Sequence, residues 1–299
     1  MMIRNLLAMG VCGVALMVAG CDDGDTTGEG GSGGSGGTGA EGGAGGSGGA
    51  GGSGGGAETA NVRVAHLSSD APDVDFCVSA DGTTFTGPVM GAVLGDADGL
   101  AFTEVTAYLE LPVATYTARL VAPGSANCDE SLGGLPDVTG LAVAAGKSYT
   151  IAAIGMLSPM ASEQAFAVTA YADDSDVASG KAKLRFIHAS ADTPNVDVGT
   201  GEGASFAAVF SNVAYSDVGK VAGMDYLETD PLSGVTISAR ATGTTADALV
   251  IPGVDLPSGA IATAFAIGNL DGTPAPLSVL ICVDNGAPTM NLTPCAVVP

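Results

Sequence analysis

Residues 62–76 read VRVAHLSSDAPDVDF, and residues 184–198 read LRFIHASADTPNVDV. Both hold the skeleton Arg-x-x-His-x-Ser-x-Asp-x-Pro-x-Val-Asp without a gap. It is carried by Arg63, His66, Ser68, Asp70, Pro72 and Asp75, and again by Arg185, His188, Ser190, Asp192, Pro194 and Asp197. A match this dense inside one chain means duplication, and therefore two domains of one fold. Side chains around it alternate with the two-residue period of a strand. Val62, Val64 and His66 share one face and Arg63 and Ala65 the other; Leu184, Phe186 and His188 lie opposite Arg185. Ser-x-Asp-x-Pro then breaks the strand, because Asp caps turns and Pro cannot continue a ladder. A second strand follows, with Val74, Phe76 and Val78 inward, matching Val196 and Val198.

Further segments align. Residues 114–121 (ATYTARLV) match 235–242 (VTISARAT), and residues 146–155 (GKSYTIAAIG) match 259–268 (GAIATAFAIG). Each copy closes with an apolar strand running into acid, at 165–173 and 277–284. The pattern predicts an all-β chain of two tandem antiparallel sandwiches, immunoglobulin-like or transthyretin-like, independent of one another. The expected boundaries are 61–173 and 182–284, with a C-terminal tail at 285–299.

The motif, followed by a Thr-Tyr-Thr strand (Thr115–Thr117) and a Gly-Lys-Ser-Tyr-Thr strand (Gly146–Thr150), resembles the bacterial family known as domain of unknown function 4397. The second copy lacks the Gly-Lys-Ser-Tyr-Thr wording, so its later half matches less well. The resemblance implies an exported, repeat-forming β domain, often carried on lipoproteins, and assigns no activity.

The N-terminus points to export. A short basic start, Met1 to Arg4, precedes a nearly all-apolar run from Leu6 to Ala19. That run is shorter than the ~20 residues a membrane-spanning helix needs, and it reads as a signal-peptide core. Val18-Ala19-Gly20-Cys21 resembles the lipobox of bacterial lipoproteins. The expectation is a signal peptide at 1–20 and a lipid on Cys21, anchoring the chain to the membrane on the periplasmic or surface face of the envelope. Residues 21–60 form a Gly-rich linker; from Asp22 to Gly56 no apolar side chain exceeds Ala, so nothing offsets the entropy of ordering it. A coil of about 35 such residues spans roughly 33 Å.

Net charge is −23 with nine basic residues, and Trp is absent. Such a surface repels nucleic-acid phosphate and leaves envelope proteins, surface proteins or cationic partners as the compatible class. Cys77, Cys128, Cys282 and Cys295 allow three pairings. Local pairing is expected: Cys77–Cys128 straps a long loop to the second strand, and Cys282–Cys295 pins the tail. None has CxxC spacing, so redox and zinc chemistry are disfavoured.

His66 and His188 are the chain's two histidines, each near Ser, Asp and Pro. A metal site of His66, Asp70 and Asp75, or a catalytic cluster of His66, Ser68 and Asp70, competes with a rim histidine bonded to a turn. The second reading is preferred, and no catalytic residue is assigned. Arg63 and Arg185, with Arg119 and Arg240, fall in outward phase. Arg63 and Asp75 are expected as exposed diagonal neighbours on a hairpin, with an arginine patch for carboxylate ligands as the alternative. Asp173, Asp174 and Asp176, and the Gly95–Gly99 loop, invite a calcium reading, but neither has EF-hand spacing. No cofactor besides calcium is considered. The sum is a non-catalytic structural, binding or adhesion role. The alternatives are a calcium- or carboxylate-binding module, or an enzyme using His66 or His188.

Overall fold

The motif's strand and the strand after its turn belong to different sheets. The computed structural model describes residues 58–95 and 98–299. The signal segment, Cys21 and nearly all of the 21–60 linker lie outside the described residues, as do Asp96 and Ala97 of the Gly95–Gly99 loop. The first copy contains β1 (Thr59–His66), β2 (Asp75–Ser79), the short helix α1 (Met90–Leu94), β3 (Leu109–Pro112), β4 (Ala114–Val121), β5 (Val138–Val143), β6 (Ser148–Ile154) and β7 (Ala167–Asp173). The second contains β8 (Ala182–His188), β9 (Val196–Thr200), β10 (Ala207–Val213), β11 (Leu227–Thr229), β12 (Leu232–Ala241), β13 (Leu249–Leu256), β14 (Ile261–Ile267), β15 (Ser278–Val283) and β16 (Cys295–Val298).

Each copy is a two-sheet β-sandwich. The first has sheets β3-β1-β6-β7 and β2-β4-β5; the second has β11-β8-β14-β15-β16 and β10-β9-β12-β13. Pairing is antiparallel except for β1 with β6 and β8 with β14. The expected hairpin of the first two strands does not form. The Asp-x-Pro turn lifts the chain from one layer to the other, so β1 pairs with β3 and β6 while β2 pairs with β4. Arg63 and Asp75 are therefore not diagonal neighbours.

Inward-phase residues line the interiors of the two sandwiches as the alternation requires. Val62 and Val143 lie in one cluster, Val74, Met90, Leu100 and Leu120 in another, and Phe186, Val196, Val198 and Phe210 in the second copy. A further cluster draws on both copies: Ala65, Leu67, Ala152, Ile154 and Tyr171 pack with Ile187, Ala189, Phe265, Ile267 and Leu280. Outward phase in one sandwich is thus inward phase at a seam with the other. The repeats are not independent; residues Ala57–Pro299 form one unit, with four sheet layers stacked through the seam. Fully burying each large side chain there stabilises by roughly 1.5–3 kcal/mol.

The tail is built into both copies. β16 is the edge strand of the second copy's sheet, beside β15. Ahead of it, Asn291 Nδ2 donates to Val93 O (2.6 Å) and Thr293 Oγ1 to Thr106 O (2.7 Å), both in the first copy. The disulfides are Cys77–Cys128, with Cα atoms 6.0 Å apart, and Cys282–Cys295, 4.0 Å apart. The second joins paired positions of β15 and β16. Among the described residues no helix is long and apolar enough to cross a membrane.

Candidate functional site

The duplicated motif is a turn built twice from the same parts. His66 Nε2 lies 3.0 Å from Pro72 O, and His188 Nε2 lies 3.1 Å from Pro194 O. A carbonyl can only accept, so Nε2 carries the proton in both rings. Nδ1 of each ring is buried without a partner. Burial pushes both histidines below the ordinary histidine value, against the smaller opposite pull of the proline carbonyls. Both rings stand edge-on to an aromatic, Phe102 and Tyr215 respectively.

Asp70 accepts from Leu157 N (2.8 Å) and Ser158 N (2.9 Å), beyond the end of β6. Asp192 does the same beyond β14, with Leu270 N at 2.7 Å and Asp271 N at 3.3 Å. Ser68 donates to Asp70 (3.3 Å), and Ser190 to Gly268 O (2.7 Å). Asp75 accepts from Met90 N (2.8 Å), and Asp197 from Asn212 N (2.7 Å), each fifteen residues downstream. His66, Asp70 and Asp75 do not converge, and Ser68 makes no contact with His66. His66, Asp70 and Asp75 each hold a piece of backbone, and Ser68 braces Asp70.

The arginines are placed otherwise than the alternation alone implies. Arg63 and Arg185 are fully buried at the seam. Arg63 Nη1 lies 2.8 Å from Asp284 Oδ1 of the second copy, and Arg185 Nη2 lies 2.7 Å from Asp173 Oδ1 of the first. The first is a charge contact without hydrogen-bond geometry, since both atoms lack a directed partner. Arg63 Nε donates to Thr150 Oγ1 at 2.8 Å and Arg185 Nε to Thr263 Oγ1 at 3.1 Å, each on the parallel neighbour strand. Thr150 in turn donates to Asp173 (2.7 Å) and Thr263 to Asp284 (2.6 Å). Tyr108 and Tyr226 cover the two guanidiniums, 5.0 and 4.9 Å from the ring centres.

Two positive and two negative charges thus pair reciprocally between the copies. Burial alone would lower the Arg63 pKa, but Asp284 and Asp173 outweigh it and hold the value above that of an ordinary arginine. The carboxylates proposed as ligands for an arginine patch are the chain's own. Neither the motif nor the alternation points to Thr150, Thr263, Tyr108, Tyr226 or Asp284 as partners. The signal available was the acid closing the last strand of each copy.

Arg119 and Arg240 also occupy matching settings, within their own copies. Arg119 is bidentate to Asp137 (2.8 Å for both contacts) and lies 4.2 Å over Phe85. Arg240 pairs with Asp247 and lies 3.7 Å over Phe206. Of the calcium candidates, Asp173 is held between the seam arginines, Asp174 pairs with Lys183, and Asp176 donates its backbone N–H to Asp174. They do not converge, and among the described residues no three His, Cys, Asp or Glu side chains are grouped to hold a metal.

A family model described as "Domain of unknown function (DUF4397)" matches residues 60–199. The match runs from the start of β1 through β9 and so takes in both copies of the motif. No curated protein matches the chain. Among solved structures, the chain is similar to the family CBM26 module CBMbc from Eubacterium rectale Amy13K, in complex with maltoheptaose. That match has 12% identity, covers 77% of this chain and 99% of that one, and has a TM-score of 0.21. It is also similar to a protein named "putative cell adhesion protein" from Bacteroides fragilis NCTC 9343, at 7% identity, with the same coverages and a TM-score of 0.19. The sandwich assignment rests on the sheets themselves.

Proposed function

We propose that the chain is a lipid-anchored envelope protein that holds one rigid, non-catalytic binding body away from the membrane on a Gly-rich stalk. The observation that carries this reading is the crossed pairing of Arg63 with Asp284 and of Arg185 with Asp173. It commits the most reactive-looking duplicated groups to joining two sandwiches into one body, as the turn commits the histidines. An enzyme using His66 or His188 would need the ring paired with a nucleophile or a carboxylate, and each ring instead spends Nε2 on the proline carbonyl of its own turn. The two disulfides fit an oxidising, extracytoplasmic compartment. Surface charge favours cationic or protein partners over nucleic acid.

The anchor is tested by following the full chain and a Cys21→Ala variant through membrane fractionation with palmitate labelling. The wild-type chain is expected to take up label and stay with membranes; the variant loses both. Label retained by the Cys21→Ala chain would sink the lipid anchor.

A further inference from the structure

The geometry points to a binding site for an uncharged, hydrocarbon-rich small molecule inside the first sandwich. A cavity of about 480 Å³ lies between its two sheets, lined by inward-phase apolar side chains such as Val62, Val74, Leu141 and Ile151. Protein interiors pack densely and leave few voids larger than a water molecule. This void is within the usual ligand-pocket range and about three times the ~150 Å³ cavity that admits benzene, so it has room for roughly twenty carbon atoms. Val64 and Ile151 face inward yet remain partly exposed, as side chains lining a void do.

The second copy shows what a filled version looks like. At the spacing that relates Arg63 to Arg185, Val64 corresponds to Phe186 and Pro88 to Phe210. The equal steps from Asp75 to Met90 N and from Asp197 to Asn212 N fix the second correspondence. Phe186 and Phe210 are buried and stacked, with ring centres 6.1 Å apart. Val64 and Pro88 both line the cavity. One fold thus holds a ring pair in one copy and an apolar chamber in the other, through side-chain differences at equivalent positions.

The lining also limits the ligand's charge. It contains no Lys or Arg; its imidazole, His66, is held below the ordinary histidine value by burial and so stays uncharged at neutral pH; and Glu110 stands among its exposed residues with Thr86, Gly87 and Ala92. An anionic head group would meet a carboxylate and no cation. A neutral molecule enters without that cost.

The test uses the full-length chain and the neutral fluorophore N-phenyl-1-naphthylamine. Fluorescence is expected to saturate at one equivalent. Val64→Phe, which places in the chamber the ring that Phe186 supplies next door, should weaken binding at least tenfold with no fall in melting temperature. Val93→Phe, from the α1 wall, provides the same test should Val64→Phe fail to fold. Dodecanol should displace the probe, and dodecanoate at pH 7.5 should do so at least tenfold less well. Non-saturating fluorescence, or unchanged binding by a folded variant of either kind, would overturn the site. Equal displacement by dodecanoate would overturn its assignment to uncharged ligands.

Discussion

Arg63 and Arg185 sit where water does not reach, each facing a carboxylate that the other half of the chain supplies. Desolvating four charges costs about what their attraction returns, so the quartet's main effect is to fix how two apolar faces meet. Breaking it asymmetrically is another matter. Asp284→Ala leaves the Arg63 guanidinium buried without its nearest anion, and we expect a loss of about 3–5 kcal/mol in urea unfolding. Replacing the pair together, Arg63→Met with Asp284→Leu, should recover much of that loss; equal loss in both variants would show that the charge pair was not the cause. The histidines set a pH limit. Their folded pKa values lie below the unfolded value of about 6.5, so the unfolded chain binds protons that the native chain refuses. Stability should therefore be level above about pH 7 and fall as pH drops through about 6.5, by up to ~1.4 kcal/mol per pH unit for each ring. His66→Gln should halve the slope between pH 6.5 and 5.5 in denaturation midpoints. What was legible at this scale was phase: Arg63 does point away from its own sandwich. That a second sandwich covers that face lies in a contact between segments more than a hundred residues apart, which no local pattern encodes.

At the scale of elements, the alternation marked β1, β2, β4 and β6 and their second-copy counterparts, because each has one face on a sandwich core. It did not distinguish a hairpin from a crossover. Asp-x-Pro stops a strand in either case, and the pairing of β1 with β6 and of β2 with β4 shows where the chain went. The disulfide strap was legible from loop length and the missing counterpart cysteine. The chamber was legible only as paired differences, Val64 against Phe186 and Pro88 against Phe210, which acquire meaning once the sheets are stacked. The turns held by Asp70 and Asp192 leave little room. At Gly268, with φ +74°, an added Cβ would stand 2.2 Å from Pro276 O; at Gly155, with φ +81°, it would stand 2.4 Å from Ala165 O. Backbone atoms cannot step aside cheaply, so Gly268→Ala should destabilise by roughly 1–3 kcal/mol or more. A thermal melt within error of the wild-type chain would show that the turn relaxes.

At the scale of the molecule, two halves share one scaffold and have different interiors, and they meet at a seam that neither completes alone. The tail strengthens the union by bonding to the first copy before it joins the second as β16. The way the chain enters this body has a mechanical consequence. It arrives through β1, which lies between β3 and β6 and carries Arg63 into the seam. Force transmitted from the N-terminal side would load the ladder with parallel β6, six residue pairs from Asn61 to His66, in shear along the strand. A strand so placed cannot be unzipped one bond at a time. Under the proposed N-terminal anchor, the strand nearest the membrane would thus meet a pull with all six of its pairs at once.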